Sequence, residues 1–93
     1  MAEKLLNRYI ACEVLPGIFD NEYLVRIPSG SAALVSRSVV KVSADPKHGG
    51  HVSGEVLGYL IAEQDQRALI ELSGEAVTGG LRSWVPINAL SIA

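Results

Sequence analysis

Residues 67–92 read RALIELSGEAVTGGLRSWVPINALSI, and residues 22–42 read EYLVRIPSGSAALVSRSVVKV. Each passage is a β-type run, a turn centred on glycine, and a second run closing on one aliphatic spacing. Val35, Val40 and Val42 in the earlier passage correspond to Val85, Leu90 and Ile92 in the later one. Alternation with period two puts one face of each run against a core. In residues 22–27 that face is Tyr23, Val25 and Ile27, with Leu24 and Arg26 opposite; in residues 67–72 it is Ala68, Ile70 and Leu72. The echo describes an all-β chain, one domain over residues 1–93, with similar strand-turn-strand halves at about 8–43 and 54–92 joined by the loop 44–53.

Outward from these passages the pattern continues. Residues 8–15 alternate Ile10, Cys12 and Val14 against Tyr9, Ala11 and Glu13, as a strand does, while Leu5, Leu6, Tyr9 and Ile10 also fit one helical face. Helix and strand both stay open for residues 3–10. Pro16-Gly17, Asp20-Asn21 and Pro28-Ser29-Gly30-Ser31 are turn signals. Strands are expected at 33–36 and 39–43 with a 3₁₀-like turn at 36–38, and again at 82–85 and 90–92 around the break Pro86-Ile87-Asn88. Residues 63–66 read as a hairpin loop and 73–81 as a longer one.

The run 54–62, GEVLGYLIA, is apolar on both sides: Val56, Leu60 and Ala62 against Leu57, Tyr59 and Ile61. A strand of that kind is covered on both faces. In a small domain one cover is the core and the other is expected to be a neighbouring subunit. Short, regularly spaced strands with turns between them predict a small, strongly bent barrel of about five to seven strands, a closed form that removes sticky edges.

Composition narrows the function classes. At 48% hydrophobic and 19% charged, 93 residues form one folded domain and not a disordered chain. So much apolar surface predicts a homo-oligomer, dimer or tetramer, with Leu24, Leu57 and Ile61 at subunit contacts. The net charge is −2 and the eight Lys and Arg are scattered, which argues against nucleic acid. The lone Cys12 rules out an internal disulfide and reads as a buried thiol. Neither a signal-peptide pattern in residues 1–6 nor a run of membrane-span length is visible, so a cytoplasmic location without membrane contact is expected.

Residues able to carry chemistry are few. Asp45, His48 and His51 flank a Gly-Gly turn and form a weak metal-ligand set, two imidazoles and a carboxylate on one loop. The serines sit in turns without a nucleophile elbow, and the Gly-rich turns lack a phosphate-loop pattern. Trp84, the only Trp, stands beside Arg82 and Ser83. That grouping suits an interface anchor or ligand surface, with Tyr59 and Tyr23 as further candidates.

The segment Trp84-Val85-Pro86-Ile87-Asn88-Ala89-Leu90 resembles the V-P-x-x-x-[VL] turn that closes SH3-like barrels. Gly54-Glu55-Val56-Leu57-Gly58-Tyr59 and Val85-Pro86-Ile87-Asn88-Ala89-Leu90 also resemble motifs of the plasmid- and cassette-borne type II dihydrofolate reductases, over residues 54–92. Members of that family are SH3-like barrels that assemble as tetramers around a pore. Where the family carries V-Q-I-Y, this chain has Arg82-Ser83-Trp84-Val85. The resemblance implies an SH3-like fold and a mobile-cassette origin. As an enzyme the chain would act with NADPH on a small heterocycle at a site between subunits, lined by Trp84, Ser83, Tyr59 and Lys41. The residues themselves point first to a self-associating binding protein without catalysis or cofactor. The alternatives are that reductase-like enzyme and a peptide- or nucleic-acid-binding adaptor.

Overall fold

The structure, a computed structural model, describes residues 6–47 and 49–93; the expectations placed on residues 1–5 and on His48 lie outside them. The chain runs β1 (Leu6–Pro16), β2 (Glu22–Arg26), β3 (Ala32–Ser36), a 3₁₀ turn (Arg37–Val39), β4 (Val40–Lys41), β5 (Val52–Gln64), β6 (Arg67–Leu72), β7 (Glu75–Thr78), β8 (Arg82–Pro86), a second 3₁₀ turn (Ile87–Ala89) and β9 (Leu90–Ile92). The main path of the sheet is β7-β3-β2-β1-β5-β6-β8, with β4 added to β5 and β9 to β1. All pairs are antiparallel, and the sheet curls into a half-barrel consistent with an SH3-like barrel. Residues 6–10 belong to a strand, not a helix.

The inward residues of the two echoing passages meet in the core. Ile10, Val14, Val25, Val35, Val56, Ile70, Leu72 and Val85 are fully buried. Each such side chain contributes about 1.5–3 kcal/mol on leaving water.

The strand registers give the echo a spatial meaning. Ile10 of β1 lies opposite Val56 of β5. Val40 of β4 lies opposite Val56, and Leu90 of β9 lies opposite Ile10. The last strand of each half therefore crosses onto the first strand of the other, about a pseudo-twofold axis at the Ile10–Val56 pair. Backbone hydrogen bonds follow the same relation: Arg37 N–H donates to Asn21 C=O (3.1 Å) and Ile87 N–H to Gln66 C=O (3.0 Å). The two halves thus interlock through matching strand pairings.

Three differences from the sequence reading have local causes. Residues 73–81 contain β7, which pairs with β3. All its residues are exposed, so no alternation marks it, and Gly74 and Gly79 bend the chain on either side at positive φ (128° and 72°). Ala62 does not share a face with Val56 and Leu60. A bulge at Ile61 sets Ala62 opposite Leu69, on the outside, because an inserted residue shifts the alternation by one. The β5–β6 turn is only two residues, Asp65 and Gln66, both at positive φ (53° and 64°), which suits the twist of a tight hairpin.

Candidate interaction surface

On the outside of the sheet, cross-strand registers assemble apolar rows. Leu15, Leu24 and Leu34 align across β1, β2 and β3. Ala62, with Ile61 beside it at the bulge, aligns with Leu69 and Trp84 across β5, β6 and β8. The pseudo-twofold relates these rows, matching Leu24 to Leu69 and Leu34 to Trp84. Such side chains stand on their sheet in fixed neighbour relations, which is what makes a row a continuous surface.

The second row continues into a polar one. Asn7, Tyr59, Glu71 and Arg82 align across β1, β5, β6 and β8, and beyond them Tyr9 faces Leu57. Arg82 Nε donates to Glu71 Oε1 at 2.6 Å, and Arg67 Nη2 donates to the Trp84 carbonyl at 3.4 Å. These pairs are exposed, so each adds little stability and mainly orients its side chains. Lys41 Nζ sits 4.4 Å from the centre of the Tyr9 ring.

The two rows differ in cover. β7 lies along the outer edge of β3, with Glu75 opposite Leu34. No described strand pairs with the outer edge of β8, so Trp84 stands on an open edge. Trp84, Leu69, Leu57 and Tyr59 are half-buried and Ile61 is 42% exposed.

The fold brings some of the expected residues together and parts others. Trp84, Arg82, Tyr59, Leu57 and Ile61 share this face. Ser83 does not, since strand alternation turns it toward Ile70, and its Oγ accepts from Ser29 Oγ at 3.1 Å. Leu24 belongs to the other row. Tyr23 is 4% exposed and fills the core. Its hydroxyl donates to Asp45 Oδ1, and the Arg37 guanidinium lies 4.5 Å from its ring centre and 3.6 Å from Asp45 Oδ2. The hydrogen bond to Asp45, with burial adding to it, pushes the Tyr23 pKa up.

Asp45 is thus committed to a latch between the linking loop and the first half. His51 Nε2 lies 3.6 Å from Glu13 Oε2, and Glu13 also accepts from Arg26 at 3.1 Å. Among the described residues no three His, Cys, Asp or Glu side chains gather as a metal-ligand set. Cys12 is buried, and burial first, then the charge of Glu55, pushes its pKa up to about 12. A thiol so protonated at neutral pH is a poor nucleophile.

One exposed feature escapes the sequence reading. Ile18 and Phe19, in the β1–β2 turn, are 72% and 69% exposed. The Glu22 carboxylate accepts from both their N–H groups (3.0 and 3.1 Å), which holds the turn in shape. The available signal was two large apolar residues between the turn markers Pro16-Gly17 and Asp20-Asn21, where alternation has no meaning.

No family description, curated protein or solved structure matches the chain. The likeness of residues 54–92 to type II dihydrofolate reductases therefore rests on the quoted motifs alone. Among the described residues no helix is long and apolar enough to cross a membrane.

Proposed function

We propose that the protein is a small β-barrel interaction module that self-associates through the outer face of β5, β6 and β8, with Trp84 as its anchor. The observation that carries this reading is the Ala62–Leu69–Trp84 row, with Ile61 beside it at the bulge, ending on the open edge of β8 next to a face where Leu57 and Tyr59 are also half-buried. A second copy is the occupant because the patch complements itself. Its apolar centre is flanked by both charge signs, Glu71 with Arg82 and Arg67, so a twofold contact can set each sign against the other. Trp and Arg are also among the residue types enriched at the energetic centres of interfaces. The NADPH-dependent reductase reading draws no support from this face, since Ser83 points away from Trp84 and Tyr59.

Light scattering across micromolar concentrations tests the proposal. The expected result is an oligomer that Trp84→Ala weakens at least tenfold and Ile61→Asp dissociates, with the β-sheet circular dichroism of both variants retained. A monomeric parent protein at these concentrations sinks it.

A further inference from the structure

The seam between the two halves has a property independent of the outer face. Every strand contact across it is one that another copy of the same chain can supply. The seam consists of β1 against β5 and β9, β4 against β5, and β3 against β7. The longest of these ladders pairs Leu6 through Val14 of β1 with Leu60 back to Val52 of β5. The covalent connection between the halves is residues 42–51, and none of its described residues lies in a strand.

We propose that two copies of this chain exchange halves, residues 6–41 of one folding onto residues 52–92 of the other, to form an intertwined dimer. The geometry of the link carries the argument. β4 and β5 run antiparallel beside each other, with Lys41 opposite Glu55 and Val40 opposite Val56. Residues 42–51 reverse the chain between them. If that reversal opens, β4 and β5 of one chain become successive segments of one extended strand. Two such strands lie antiparallel and remake the same Val40–Val56 pairs between copies.

Little resists the opening. The Tyr23–Asp45–Arg37 latch holds the link to the first half only. Past Asp45, a turn closed by Gly50 N–H to Lys47 C=O (2.8 Å) completes the reversal. Since core and ladders are identical in both forms, monomer and exchanged dimer differ only by this link and by the entropy of association. Exchange of an identical element under such conditions is a low-cost route to dimers.

The test shortens the link in the full chain. Deleting residues 44–51 leaves Val42 and Ser43 between Lys41 and Val52. Lys41 pairs with Glu55, so a reversal within one shortened chain would have to be made from Val42, Ser43 and Val52–Gly54, and the last three are held in β5 by their pairing with Cys12–Val14 of β1. The reporter is Arg8→Cys with Ile92→Cys, opposed in the β1–β9 ladder, which crosses the seam. In a closed monomer this pair forms an intramolecular disulfide; in the exchanged dimer it joins two chains. The expected result is a species of twice the chain mass by light scattering that remains a covalent dimer on a non-reducing gel. A folded monomer with an intramolecular cross-link overturns the proposal.

Should the shortened chain fail to fold, the double-cysteine variant with its natural link decides. After refolding from urea at millimolar concentration it yields interchain cross-links if exchange occurs, and its yielding only intramolecular ones overturns the proposal. Adding Trp84→Ala separates this association from the outer-face one, because it leaves the cross-link between chains in place while weakening contact between exposed faces.

Discussion

The two halves share their main ladders and differ in contents and in β7, which has no counterpart among the described residues of the first half. In the first half the core is filled by Tyr23 and Cys12; at the equivalent places the second half has Ala68 and Gly58. Gly58 is compensated by its neighbours, since a Cβ there would meet Ile10 Cδ1 at 2.7 Å and the Glu71 carbonyl oxygen at 2.9 Å. Outside, the order of bulk reverses. Leu34 of the first half has β7 beside it, whereas its counterpart Trp84 stands at an open edge. The module sets backbone register and leaves volume to be distributed between copies, inside and out. The half with less bulk inside is the one that displays an aromatic surface.

Four measurements break or sharpen that comparison. The largest effect is expected in the shared core. Ile70→Ala and its counterpart Val25→Ala should each destabilise the protein, Ile70→Ala by about 2–5 kcal/mol in urea unfolding. Both should shift one cooperative transition, because each half lends a strand to the other; two separate transitions would show that the halves are independent. Next, Gly58→Ala should cost about 1–3 kcal/mol by overpacking against Ile10 and the β6 backbone. An unchanged urea midpoint would mean that the second half can accept the volume that Cys12 occupies in the first.

The third measurement uses pH. The Cys12 thiol is held neutral in the fold, its pKa raised from 9.0 to about 12. Above pH 9 the unfolded chain loses this proton while the folded one keeps it, so stability falls as pH rises through that window. The loss is about 1.4 kcal/mol per pH unit, complete as the folded pKa is reached. Cys12→Ala removes this contribution, so the parent's stability should fall more steeply than the variant's between pH 9 and 11. Parallel curves would place the thiol in contact with water. The smallest effect is expected for Tyr23→Phe, which removes the hydroxyl donated to Asp45 and keeps the buried ring. A cost of about 1 kcal/mol, with faster hydrogen exchange confined to residues 43–51, is the signature of a latch; exchange unchanged there means that the loop is held by something else.

Much of the fold was legible because period-two alternation is a local property. Tyr23, Val25 and Ile27, then Ala68, Ile70 and Leu72, announce inward faces without knowledge of any partner strand, and all of them are buried. The 3₁₀ turns before Val40 and Leu90 were legible for the same reason, as breaks between matching aliphatic spacings. β7 was not, since an edge strand exposed along its whole length has no apolar face to betray it. Of the surface, Trp84, Arg82, Tyr59, Leu57 and Ile61 stand out in the sequence by residue type and placement. Leu69 does not, because one outward leucine on a strand means nothing until its neighbours across the ladder are known.

The sequence by itself determined the all-β class, the two similar modules, the inward faces and the turns, because each follows from steric preference and alternation within a few residues. Only the tertiary structure decided that the modules interlock, with β4 on β5 and β9 on β1, and that Ser83 parts from Trp84. It also decided that Tyr23 belongs to the core while Ile61, Leu69 and Trp84 become one surface. Those outcomes depend on which strands lie side by side, and hydrogen-bonded register between segments distant in the chain is not written in either segment alone.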